Sequence, residues 1–206
     1  NHILNNGATM TAGRNINSKS KDWCTPKKYV EAVKKVFRGK IHLDPCSNDF
    51  SIVNAELEYS LPEKNGLIES WKFPTIYVNP PYGRDKDSET SIKHWLEKCA
   101  KAHENYGSEV IALVPVATNT GHWKKSVYGR AKAICFLFDT RLKFLENGNN
   151  TGKGAPMSCA MIYWGNEYNK FYDEFIKHGA VIDISHLKNE KRIGNPSEIL
   201  RAYIHS

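Results

Sequence analysis

The apolar positions of the chain follow two different periods, and the alternation between them predicts the fold class. Tyr29, Val30, Val33, Val36 and Phe37 recur at helical spacing. Thr25-Pro26 stands ahead of them, with Thr25 placed to cap the helix and Pro26 at its first position, where a missing N–H costs nothing. Ile41 to Cys46 (IHLDPC) is a short apolar run stopped by an acid and a proline, which predicts a buried strand ending at a loop. Thr75 to Val78 predicts a second such strand, ending at Asn79. Ser91 to His103 carries Ile92, Trp95, Leu96, Cys99 and Ala100 on one helical face, and Val110 to Val116 returns to a continuous buried run. His122 to Ala131 then predicts a short helix, Ala133 to Phe138 a strand, Phe171 to His178 a helix and Ala180 to Ile184 a last strand. Arg141 to Phe144 and Ser158 to Trp164 flank a glycine-rich loop and predict an antiparallel hairpin. Strands alternating with helices mean an α/β sheet, parallel for most of its length and made mixed by the late hairpin.

Length and charge refine this picture. With 206 residues, 40% of them hydrophobic, the chain can bury one substantial core. Residues 1–21 have little apolar periodicity and read as a flexible basic arm, leaving 22–206 as a single domain. No apolar run approaches the roughly 18 residues of a membrane span, and the polar start is unlike a signal peptide, so a soluble cytoplasmic protein is expected. The five cysteines are odd in number, widely spaced and without a CxxC pair, which predicts reduced, mostly buried thiols and no metal site. The net charge of +7 is unevenly spread. Residues 1–40 hold nine Lys/Arg against Asp22 and Glu31, and residues 120–155 hold seven against Asp139 and Glu146, while the remainder is net acidic. Clustered cations of this kind suit a polyanion, because neutralising phosphates needs them side by side.

The segment IYVNPPYG carries the chemistry. A strand running into Asn79-Pro80-Pro81-Tyr82 puts a side-chain amide, two rigid prolines and an aromatic ring at the carboxyl edge of the sheet, where open α/β sheets bind ligands. The prolines fix the turn and remove two N–H donors, leaving carbonyls as acceptors. A planar amine placed there can give one hydrogen to the Asn79 side-chain oxygen and another to the Pro80 carbonyl, while Tyr82 stacks on its ring. Two acceptors pulling on the amine protons favour a more tetrahedral nitrogen, whose lone pair can attack an electrophilic methyl group. The site resembles an oxyanion hole with its sign reversed.

From Asp22 to Ile184 the chain resembles the phage-type DNA N6-adenine methyltransferases, which are Dam-like. The resemblance rests on DWCTP, LDPCS, NGL followed by Trp71, VNPPYG, LVPV, and RLKF followed by a strand ending in Tyr163-Trp164, in that order. It implies a Rossmann-like S-adenosylmethionine-dependent methyltransferase fold, double-stranded DNA as partner, and a bacterial or phage-infected cell as setting. It further implies that Asp44, Pro45, Cys46 and Ser47 cradle the methionine part of the cofactor, with Thr25 and Pro26 as a second wall. No glycine-rich DxGxGxG loop follows Asp44, a departure from the usual cofactor loop. Glu56, Glu58 and Glu63 are unranked candidates for the ribose hydroxyls. Asn65 matches a position that in relatives often carries Asp near the target base. Arg141 and Phe144 fall on the substrate side, with Phe144 sandwiching a flipped base opposite Tyr82. DNA-contacting insertions are expected around 120–155.

Other features lead elsewhere. Gly148 to Gly154 falls one residue short of a phosphate loop and reads as a hairpin tip, and His94, His103 and His122 have no metal-like spacing. Three alternatives stay open: the same motif acting on RNA guanine, the same motif acting on protein glutamine, and a catalytically silent DNA-binding module. Monomer and homodimer are equally compatible with the sequence.

Overall fold

A computed structural model describes residues 10–11, 14–15, 23–83, 89–139, 142–146, 149–150 and 157–189. In chain order the elements are β1 (Met10–Thr11), β2 (Arg14–Asn15), β3 (Trp23–Cys24), α1 (Lys27–Val36), β4 (Leu43–Asp44), β5 (Leu57–Glu58), β6 (Thr75–Val78) and α2 (Ile92–Tyr106). They continue with β7 (Glu109–Pro115), α3 (Gly121–Ser126), β8 (Ala133–Leu137), β9 (Leu145–Glu146), β10 (Asn149–Asn150), β11 (Cys159–Trp164), α4 (Tyr168–Phe175) and β12 (Gly179–Asp183). None of the described helices is long and apolar enough to cross a membrane.

Seven strands form one sheet in the order β12, β8, β11, β7, β6, β4, β5. β5, β4, β6 and β7 are parallel neighbours. β11 lies antiparallel between β7 and β8, and β12 is antiparallel to β8. Five of the seven strands therefore point one way, and the expected mixed, mostly parallel α/β sheet is present. Helices cover both faces, as two consecutive residues of β11 show. Tyr163 stacks on Phe171 of α4 with ring centroids 5.0 Å apart, while Trp164 donates to the Ser126 carbonyl of α3 at 3.0 Å. Successive strand side chains point to opposite faces, so α4 and α3 lie on opposite sides.

Several elements differ from the sequence expectations. β11 pairs with β7 and β8, and not with the described residues 142–144 of the expected hairpin. All six of its residues are buried and it runs in register with β7 from Cys159 opposite Pro115 to Trp164 opposite Val110. A segment apolar on both faces belongs in the middle of a sheet, not in a two-stranded hairpin. The stretch after β8 instead supplies β9, which pairs with both β10 and β3 in a small separate sheet. β4 is shorter than Ile41 to Cys46 because Pro45 has no N–H to continue the ladder. α3 stops at Ser126, where Val127 and Tyr128 both donate to the Trp123 carbonyl and the chain turns through Gly129 at φ +78°. Pro26 is the residue flanking α1, which has no side-chain cap, so Thr25 does not cap it. Its hydroxyl is hydrogen-bonded instead to the Tyr77 hydroxyl at 2.6 Å.

Topology fixes where a ligand can sit. From β4 the chain moves to β5 on one side, then returns to β6 on the other side of β4 and continues outward to β7. The carboxyl ends of β4 and β6 therefore flank a switch point, where departing loops separate and leave a crevice.

The Thr25–Tyr77 pair ties the start of α1 to β6, and both residues are buried. Tyr77→Phe strands the Thr25 hydroxyl away from water and is expected to cost about 1–3 kcal/mol. A fall in the urea midpoint at unchanged m-value would register it.

Candidate active site

β6 is buried along all four residues and delivers Asn79 to the switch point. Pro80 is buried, and Asn79 and Pro81 are half-buried. Tyr82 turns back under the edge, with its ring 6% exposed and its hydroxyl 3.2 Å from the Leu113 carbonyl of β7 and 3.4 Å from Asn79 Oδ1. Burial pushes the Tyr82 hydroxyl well above the usual tyrosine range, so it remains a donor. Tyr82 thus anchors the motif to the neighbouring strand and lies beside the Asn79 amide oxygen.

Asp44, at the end of β4, is 3% exposed and accepts the Cys46 N–H at 3.1 Å. Burial, with the Glu58 charge adding to it, raises its carboxyl to about 7 despite that hydrogen bond. No cation pairs with it among the described residues. Cys46 bridges the two strand ends: its thiol, kept protonated by burial, donates to the Asn79 carbonyl at 3.1 Å. Ser47 donates its hydroxyl to Glu58 at 3.1 Å, and the Cys24 thiol donates to the Asn48 side-chain carbonyl at 3.4 Å. Each part of the loop after β4 is thereby tied to a different stretch of sequence.

The structure brings most of the sequence candidates together. Thr25, Asp44, Pro45, Cys46, Ser47, Asn79, Pro80, Pro81 and Tyr82 converge on the switch point, and Pro26 follows Thr25 there. Asn65 adjoins the same loop through Gly66, where a Cβ would come within 1.7 Å of the Pro45 carbonyl oxygen. Its side-chain oxygen accepts the Leu67 N–H at 3.0 Å, closing a local turn. Arg141 lies outside the described residues. Phe144 is buried and meets Tyr82 edge-on, with centroids 5.9 Å apart at 72°. A base between the two rings needs parallel planes with about 3.5 Å on each side. That slot is closed in this conformation.

Register also ranks the acidic residues that sequence left equal. Glu58 lies directly opposite Asp44 at the carboxyl end of β5, whereas Glu56 sits before that strand and pairs with Lys40 at 2.6 Å. Glu63 is an exposed loop residue. Asn48 and Tyr77 are not distinguished by sequence, since each contributes only through a partner distant in the chain. His94 serves the fold, its Nδ1 accepting the Ser91 N–H at the start of α2.

A mixed α/β sheet thus brings a buried carboxyl group and an Asn-Pro-Pro-Tyr turn to one switch point. The family model described as DNA N-6-adenine-methyltransferase (Dam) matches residues 13–195, and the chain belongs to that family. It is therefore a DNA adenine methyltransferase by family. No curated protein and no solved structure matches the chain at a significant level.

Gly66→Ala drives a methyl group into the Pro45 carbonyl and is expected to cost about 1–3 kcal/mol, read as a lower melting temperature. Asp44 in the folded chain keeps, up to about 7, a proton that the unfolded chain releases near its ordinary 3.8. Stability of the ligand-free protein should therefore fall as pH rises through that window, and Asp44→Asn should flatten the slope in denaturation at stepped pH.

Proposed function

We propose that this chain transfers the methyl group of S-adenosylmethionine to the N6 amine of adenine in duplex DNA, using Asn79-Pro80 as the amine acceptor on a Rossmann-like methyltransferase sheet. The observation that carries the reading is the pairing, at one switch point, of an unneutralised buried carboxylate with an amide-and-carbonyl acceptor turn, joined by the Cys46 to Asn79 hydrogen bond.

The residues at the switch point fit the cofactor. Asp44 lacks a cationic partner among the described residues, and the ammonium of a methionine moiety would supply one. Glu58 is placed for ribose hydroxyls, with Ser47 holding its carboxylate. Pro45, Cys46 and Ser47 form the wall between them, and Thr25 and Pro26 close the pocket from the start of α1. When bound, the cofactor supplies a methyl group on a positively charged sulfonium. Gly66, whose missing side chain lets it pack against the Pro45 carbonyl, supports this wall from behind.

At the acceptor, Asn79 Oδ1 and the Pro80 carbonyl take the two hydrogens of the adenine amine. This draws electron density onto nitrogen and points its lone pair toward the cofactor side, while the Cys46 thiol fixes the Asn79 backbone. Positioning then supplies most of the rate. Phe144 withdraws from Tyr82 to admit the flipped base, and stacking on the two rings replaces what the base loses in leaving the duplex.

Within the basic stretch 120–155, Lys124 and Lys125 lie exposed on α3, which follows the carboxyl end of β7, whereas Arg130 is paired with Glu97 and Glu104 and Lys132, just before β8 at the opposite edge, with Asp183. Of the basic residues 1–40, Lys27 and Lys28 stand at the start of α1 while Arg38 and Lys40 lie at the amino edge; the former, with Lys124 and Lys125, supply phosphate contacts, and affinity for DNA falls steeply with salt. Belonging to the DNA adenine family favours this substrate over RNA guanine or protein glutamine.

Asn79→Ala should abolish N6-methyladenine formation while leaving duplex DNA affinity within about twofold, because phosphate contacts dominate binding. Labelled methyl transfer to duplex DNA, followed by nucleoside digestion, measures the first and a filter-binding titration the second. Turnover retained in the variant, or label found only in RNA or protein, would overturn the reading.

A further inference from the structure

Lys98 occupies the middle of α2, the helix that follows the Asn79-Pro80-Pro81-Tyr82 segment, and no carboxylate lies within ion-pair distance of it among the described residues. Its ammonium instead donates to three backbone carbonyls of one turn: Gly66 at 3.0 Å, Leu67 at 2.9 Å and Glu69 at 2.6 Å. An ammonium has three N–H donors, and these three carbonyls use all of them. The Trp71 ring lies 5.3 Å from the ammonium, and the Trp71 indole N–H donates to the same Gly66 carbonyl at 2.8 Å. Three carbonyl oxygens converging on one point repel one another unless a cation stands there. The turn is shaped around Lys98.

That turn is also the support of the loop after β4. Gly66 touches the Pro45 backbone so closely that a single added carbon would collide with it. Asn65 closes the turn from its other end, its side chain accepting from Leu67 and its carbonyl from Ile68 and Glu69. A continuous chain of contacts thus runs from α2 through Lys98 and Gly66 to Pro45 and Cys46, and from Cys46 back to Asn79.

We infer that Lys98 is a positioning residue for cofactor binding: its ammonium holds the Gly66–Glu69 turn against Pro45 and so sets where Asp44 to Ser47 present themselves to the ligand. This rests on the reading of that loop as the cofactor loop. Lys98 touches neither ligand nor acceptor, so its removal should change affinity far more than the chemical step. Arg cannot replace it fully, because a planar guanidinium does not direct three donors onto one turn from a single nitrogen.

The test is calorimetric titration of S-adenosylhomocysteine into the wild type, Lys98→Met and Asp44→Asn, with steady-state kinetics on duplex DNA. Lys98→Met is expected to weaken binding about tenfold and raise KM for the cofactor by a similar factor, with kcat within about threefold. A role in overall stability alone would lower the active fraction, and with it kcat, at unchanged KM. Affinity unchanged in Lys98→Met but lost in Asp44→Asn overturns the inference and leaves the cofactor loop standing. Affinity unchanged in both variants overturns both. If Lys98→Met does not fold, Lys98→Arg is titrated in its place. A loss of about threefold is then expected, since the charge remains but the three-carbonyl geometry does not. Wild-type affinity in Lys98→Arg would overturn the inference.

Discussion

Two parallel strands that end side by side and send their chains in opposite directions are the constraint on which the site depends. β4 and β6 are hydrogen-bonded neighbours, one ending in a buried acid and the other in an amide followed by two prolines. The loops that leave them diverge to opposite sides of the sheet. Because the strands adjoin, the Cys46 thiol still reaches the Asn79 carbonyl at 3.1 Å. That bond ties the loop after β4 to the turn after β6, so the proposed cofactor loop and the proposed amine acceptor are joined directly. A crevice formed by two independently moving loops would lose the registry that in-line transfer demands.

The surrounding contacts stiffen the same unit from outside. Thr25 reaches β6 through Tyr77, Asn48 takes the Cys24 thiol, Glu58 takes the Ser47 hydroxyl, and Gly66 seats the backbone of Pro45. A carboxyl raised to about 7 by burial is costly to keep ionised in the folded protein, and a cation placed beside it would lower that cost. The rings of Tyr82 and Phe144, by contrast, are already in mutual edge-on contact.

Much of this is legible from the chain alone, for reasons specific to the residues. Thr75 to Val78 reads as a strand because an uninterrupted apolar run stops against Asn-Pro-Pro, and a proline pair has few structural settings. The loop after Asp44 is visible because acid and proline end a strand plainly. Pairings remote in sequence are not legible. The pattern puts β11 in a hairpin because its partners β7 and β8 both lie outside the adjoining segment, β7 more than forty residues earlier, and a run buried on both faces does not name its neighbours. β3, β5 and β9 have two residues each and leave no period to detect. Glu58 cannot be told from Glu56 in the sequence, because only the strand register places Glu58 opposite Asp44. Thr25 looks like a cap from sequence, since its buried partner Tyr77 is fifty-two positions away.

Among the described residues, two places are candidate sites for a small molecule. One is the switch point at the carboxyl edge. The other is a cavity of about 360 Å³ at the amino edge, lined by Phe37, Arg38, Thr75, Glu109, Asn166, Glu167 and Lys170. In the second, the Glu109 carboxylate is already satisfied by the Tyr163 hydroxyl at 2.6 Å and by Lys170 at 3.3 Å, so no buried charge there awaits a partner. A crystal structure with S-adenosylhomocysteine decides between them most directly. The amino acid ammonium is expected within hydrogen-bond distance of Asp44, with the sulfur turned toward Asn79. Density for the ligand in the amino-edge cavity, with the switch point unchanged, would contradict the account.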